Sequence, residues 1–190
     1  MGNYPYLIAS LPDFFPDCEP RPFDCGQMME FVRDHLDGDA AKSLDWLEAG
    51  LSQEILGPHF YRGIERQGSR FLRRFFAFDR EVRRTKVEFV GKKGIDEDSF
   101  DEAPRLKAIF GEPNLIEREK RLDRLYWEKA EEFASGEILN LDRLLSLLVM
   151  ARIAERWNRL DEAAGKKLFR ELVQQVRGTF NGVEFDADKK

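Results

Sequence analysis

The chain has 190 residues, of which 42% are hydrophobic and 35% charged, with a net charge of -5. That length holds one substantial core or two small ones, under a strongly charged surface. The longest apolar candidate, Leu141 to Ala154, is interrupted by Asp142, Arg143 and Arg152, which excludes a bilayer-crossing helix of ~20 residues.

The first apolar run, Tyr4-Pro5-Tyr6-Leu7-Ile8-Ala9, has no basic residues before it and meets Pro12-Asp13 too early for a secretory signal. It reads either as a short strand or as the first turn of a helix. Cys18 and Cys25 then read as two reduced thiols of a cytosolic protein. The stretch Pro16 to Pro22 cannot continue a helix. Asp24 followed by Gln27 has the spacing of a capping box, and Met28, Phe31, Val32, His35 and Leu36 form the stripe of an amphipathic helix. Gly38-Asp39 opens the next helix, with Leu44, Leu47, Leu51, Ile55 and Leu56 on one side, and Gly57-Pro58 closes it.

Between His59 and Lys92, Phe60, Ile64, Phe71, Phe75, Phe78, Val82 and Phe89 recur by threes, fours and sevens. The pattern predicts one long charged helix over 59–92, about 45 Å if unbroken. Gly63 and Gly68 leave open a kink or a start near Ser69. The other face is basic: Arg62, Arg66, Arg70, Arg73, Arg74, Arg80, Arg83, Arg84 and Lys86. After it, the acidic run within 94–103 reads as a solvated loop, followed by a short helical turn around Leu106 to Phe110 and a stop at Gly111-Glu112-Pro113.

Residues 114–134 predict a charged helix. Asn140 caps a strongly apolar one over 141–160, the expected centre of the core. Asp161 starts a last helix with Leu168, Phe169, Leu172, Val173 and Val176, and a polar, flexible tail is expected over 179–190. The fold class is therefore all-α: an irregular bundle of about six helices. Residues 1–190 read as a single helical domain, and a division into two lobes would fall at 94–103.

Catalytic and metal motifs are incomplete. His35 and His59 lie on separate segments, with no His-Glu-x-x-His and no Cys-x-x-Cys. Glu117, Glu119, Asp123 and Glu128 lack the Glu-x-x-His partners of a carboxylate-bridged metal bundle. The acidic run lacks the glycine and the final glutamate of a calcium loop. Gly91-Lys92-Lys93-Gly94 lacks P-loop spacing, and no serine sits in a nucleophile elbow. The expectation is a protein that is not an enzyme and takes no cofactor or metal.

The surface with functional charge is the arginine stripe 62–86. It could dock on an acidic protein face, bind a nucleic-acid backbone, or be neutralised by the chain's own acids in 96–102 and 112–132. A sequence pI near 5.3 sets protein docking or neutralisation ahead of nucleic acid. The candidate docking residues are Arg66, Arg70, Arg73, Arg74, Arg80, Arg83, Arg84, Arg118, Arg121 and Arg124.

Four strings taken together, in order, carry a family resemblance. They are Tyr4 to Asp13, Phe71 to Asp79, Glu117 to Asp123 with Trp127, and Asn140 to Leu145 with Arg156-Trp157. The chain resembles an uncharacterised bacterial family whose genes lie in operons for V-type (A/V-type) ATPases. More faintly, it resembles the C/d component of those complexes, the helical protein that caps the rotor ring. The resemblance implies an accessory or central-stalk-like subunit, or an assembly factor, with V-type ATPase subunits as partners. It also implies a place in the cytoplasm, peripheral to the inner face of the cell membrane, and a link to ion transport. The alternative is a nucleic-acid-binding or regulatory helical protein using the stripe 62–86.

Overall fold

Most helices of the chain begin at a residue whose side chain or ring suits a helix start, and those starts set the architecture. The computed structural model describes residues 3–15, 23–52, 56–91, 100–136, 138–159 and 162–180. Nine helices occupy them: α1 (Tyr4–Ser10), α2 (Cys25–Asp34), α3 (Gly38–Ser52), α4 (Pro58–Ile64), α5 (Arg70–Val90), α6 (Ala103–Phe110), α7 (Leu115–Phe133), α8 (Leu141–Asn158) and α9 (Glu162–Phe180). Asp24 accepts the amide N–H groups of Gly26 and Gln27 at 2.8 and 3.1 Å. Asn114 caps α7 through Ile116 and Glu117, and Asn140 caps α8 through Arg143. Each such cap satisfies backbone donors that the first helical turn leaves open. No strand occurs among the described residues.

The all-helical class matches the sequence reading, but the bundle has more pieces than about six. The opening run is helix α1, Leu106 to Phe110 lie in a full helix of their own, and the segment 59–92 is split in two. Gly63 explains part of that split. A Cβ there would overlap Trp46 Cη2, so the bare backbone is what lets α4 lie against α3. The N–H groups of Arg66 and Gln67 fold back onto the carbonyls of Gly63 and Ile64, ending α4. Ser69 Oγ then accepts the N–H of Leu72 and starts α5. Arg73 closes the break by donating to the carbonyls of Gln67 and Gly68. The unbroken helix is thus replaced by a 21-residue α5, about 32 Å long.

Helix α8 is the core element. Leu144, Leu145, Leu148, Val149, Met150 and Ala151 are all buried, and α1, α2, α3, α5 and α7 pack around it. A helix apolar on most of its circumference needs neighbours on most sides. The phenylalanines of the chain supply much of the filling. Phe60 meets Phe76 edge-on at 5.0 Å, Phe76 meets Phe75 at 5.4 Å, and Phe75 stacks on Phe71 at 5.5 Å. Each fully buried ring of this kind stabilises by roughly 1.5–3 kcal/mol. A second, smaller cluster forms where Phe78 and Val82 of α5 meet Leu106, Ile109 and Phe110 of α6 and Leu125 of α7.

Smaller differences follow from packing. Of the stripe expected for α2, Val32 is buried and so is Leu36 just past the helix end, whereas Met28 and Phe31 are half-buried and His35 exposed; Cys25 and Met29 supply the other buried positions. Ile55 of the stripe expected for α3 lies outside the described residues, and so do Cys18 and most of the acidic loop, whose last residue, Ala103, already belongs to α6. Of the tail 179–190, Thr179 and Phe180 continue α9, and the rest lies outside the described residues. No helix of the described residues is long and apolar enough to cross a membrane.

Candidate docking surfaces

Three surfaces could do chemistry or binding: the arginine face of α5, a basic recess between α6 and α7, and the apolar stripe of α9. The arginine face is partly compensated by nearby groups. Arg83 Nε donates to Asp79 Oδ2 at 2.7 Å. Arg84 pairs with Glu81 and Glu88, and Arg80 with Glu65 and Glu81. Arg74 reaches Glu132 of α7 at 3.4 Å and lies 4.5 Å over the ring of Phe133. Arg73 is spent on the α4–α5 break. Arg66 and Arg70 stay exposed at the start of this face. Neutralisation therefore comes mostly from acids on α5 itself and on the preceding turn, and less from 112–132 than the sequence led one to expect.

Arg121 and Arg124 join Arg105 and Lys120 around an open recess of about 520 Å3, floored by Ala108 and Ile109. Arg121 pairs with Glu112 at 3.2 Å, and Arg105 and Arg124 share Glu128 at 2.7 and 3.3 Å. Pairing with Arg105, then Arg124, holds Glu128 below the usual carboxylate range. Arg118 stands nearer the start of α7, half-buried. The candidate arginines thus fall on two separate faces, one on α5 and one on α7, rather than on one patch.

The buried polar groups are engaged with one another. Asp79 accepts from Tyr61 at 3.0 Å, Tyr126 at 2.9 Å and Arg83 at 2.7 Å, tying α4, α5 and α7 together. Burial, reinforced by the Asp79 charge, pushes Tyr61 up to about 12 and Tyr126 well above the usual phenol range. Asp123 of α7 takes both oxygens to Arg156 Nη1, at 2.9 and 3.0 Å, and accepts Trp157 Nε1–H at 2.8 Å. Glu155, also buried, accepts the Cys25 N–H and pairs with Arg152 and Arg159. Among the described residues no buried side-chain nitrogen or oxygen lacks a partner, and no three His, Cys, Asp or Glu residues are placed to hold a metal ion.

The surface that sequence reasoning passed over is α9. Phe169 is 68% exposed, Leu168 58%, Val176 56% and Leu172 49%, whereas Phe71 in the core is fully buried. Its apolar positions were legible. Their exposure was not, because an amphipathic helix is normally assumed to pack on its own domain.

Residues 94–179, under half of the chain, are similar to a family described as a protein of unknown function (DUF2764). That stretch includes α6 to α8 and every exposed apolar residue just named on α9. No curated protein and no solved structure matches the chain.

Proposed function

We propose that the chain is a non-enzymatic subunit or assembly factor of a bacterial V-type ATPase, central-stalk-like in character, and that it works by protein–protein docking. The observation that carries the docking half is the exposed stripe Leu168, Phe169, Leu172 and Val176 on α9. Large apolar side chains aligned on one helix face lose favourable burial as long as water covers them, and a partner surface restores it. A non-enzymatic role is supported by the engagement of Asp79 and Asp123, each held by two donors from other helices, and of Glu155, held by the Cys25 N–H and by two arginines of its own helix end.

The partner rests on the four sequence strings that resemble the ATPase-operon family. Two of them, Glu117 to Asp123 with Trp127 and Asn140 to Leu145 with Arg156-Trp157, lie inside the stretch 94–179. The stripe 62–86 gives less support to nucleic-acid binding, because Glu65, Asp79, Glu81 and Glu88 already draw on Arg80, Arg83 and Arg84. The test is purification of the ATPase through a tagged subunit from cells that make both. The chain should elute with the complex, in fixed proportion if it is a subunit and only with partly assembled forms if it is an assembly factor. Absence of the chain from both the intact complex and its partly assembled forms overturns the reading.

A further inference from the structure

The borders of the α9 stripe differ in charge, and that difference says what kind of surface covers it. At about 100° per residue, Leu168, Phe169, Leu172, Val173 and Val176 fall within a sector of roughly 140°. Lys166 and Arg170 lie along one border, Gln175 and Glu171 along the other, and Lys167 sits opposite the apolar sector. Phe169, Leu172 and Val176 are spaced by three and four, the seam of helix-on-helix packing. One step before Phe169 in that seam is Gly165, where an added Cβ would meet nothing within 4 Å. Beside it lies an open, mainly apolar recess of about 540 Å3 lined by Gly165, Lys166, Phe169 and Arg170. A large side chain from a facing helix fits such a hole.

We infer that the seam of α9 packs against a helix of the partner protein that carries an apolar stripe with carboxylates along the side facing Arg170. This rests on the docking reading above and specifies the chemistry of the partner's surface. Two other occupants fit less well. A second copy would set net-positive helices side by side, since Lys166, Lys167 and Arg170 outnumber Glu171. Five apolar side chains also fall short of the roughly 1,200 Å2 that a stable dimer buries. An anionic lipid surface favours cations on both borders of the apolar sector, and here one border carries Glu171. A helix within a larger complex has neither problem, because contacts elsewhere on the body add to the short seam.

The experiment uses the full chain and the tagged ATPase. With wild type recovered on the complex, Arg170→Glu should lower recovery at least tenfold, whereas Lys167→Glu, the same charge change on the polar face, stays within twofold. Both positions are exposed, and circular dichroism should show unchanged helicity. A photo-cross-linking benzoyl-phenylalanine placed at Phe169 should join to a helical, Asp- or Glu-flanked segment of an ATPase subunit. If wild type itself is not recovered, the docking reading of the preceding section fails. If wild type is recovered but both charge variants behave alike, or the cross-link lands on a second copy or on residues 181–190, this inference fails while that reading stands. Sedimentation of wild type with phosphatidylglycerol vesicles, without recovery on the complex, assigns the stripe to lipid and overturns both.

Discussion

The carboxylate of Glu155 accepts the backbone N–H of Cys25 at 3.0 Å, so the last turns of α8 cap the first turn of α2 across 130 residues of sequence. The contact is buried, and it places a negative charge where the α2 dipole is positive. Burial, then the Glu155 charge, pushes the Cys25 thiol up to about 11. Glu155→Ala leaves a buried N–H without an acceptor and should destabilise by about 1–3 kcal/mol in urea unfolding. Glu155→Gln, which keeps an acceptor, should lose clearly less; equal losses would mean that charge rather than the hydrogen bond holds the joint. Peptide mapping after iodoacetamide at pH 8 should find Cys25 nearly unlabelled in the native wild type and faster to react in Glu155→Ala.

Asp123 supplies a pH signature. Burial raises its carboxyl to about 6, against the pull of Arg156 and of Trp157 Nε1–H. Its ordinary value is near 3.9, so between about pH 6 and 4 the folded chain takes up this proton before the unfolded chain does. The native state binds more protons in that window, and the contribution of Asp123 to stability therefore rises as pH falls and declines as pH climbs through 6. Asp123→Asn removes the titration. Urea unfolding at pH 7 and pH 5 should show wild type gaining on the variant at the lower pH. A gap that is constant, or that moves the other way, would show that Asp123 titrates as an ordinary carboxyl.

Gly50 tests the packing of α3 on the aromatic core. A Cβ at this position would overlap Phe76 Cζ and lie 2.7 Å from Phe60 Cζ. Phe76 and Phe60 are both buried, so neither ring can swing aside freely. Gly50→Ala should destabilise by about 1–3 kcal/mol despite the better helix propensity of alanine. A neutral or stabilising result in thermal unfolding would mean the rings repack without strain.

Local signals in the sequence were reliable where they depend on a few neighbouring residues. Asn140 before an apolar run, Asn114 after Pro113 and Asp24 ahead of Gln27 all mark real helix starts, because capping is a short-range hydrogen bond. The centrality of α8 was legible too, since few residues between Leu144 and Ala151 are polar. What could not be read is whatever depends on distant partners. Gly63 looks like a helix weakness until Trp46 is seen to lie on it. Phe89 belongs to the same periodic series as Phe71 and Phe75, yet it is 37% exposed near the end of α5, where the second cluster thins out. The arginines of 62–86 share one face by spacing, but the acids that meet Arg80, Arg83 and Arg84 belong to the same helix or the turn before it. On α9 the missing quantity was cover, which belongs to the assembly of helices and to no single segment.

The clamp between Ser69 and Asp142 bears on the order in which the chain matures. Asp142, in the first turn of α8, accepts Ser69 Oγ–H at 2.7 Å and the Phe71 N–H at 3.2 Å, so the start of α5 is finished by a residue 73 positions later. Glu155 does the same for α2 at still longer range. During synthesis at about 5–20 residues per second, the ribosome needs roughly 7–26 s to pass from Cys25 to Glu155. From the moment α5 is made, its face toward α8 waits through the later part of that interval for the helix that will cover it. The nascent chain is thus an open shell until its keystone arrives, and it is during those seconds that chaperones and proteases have their opportunity.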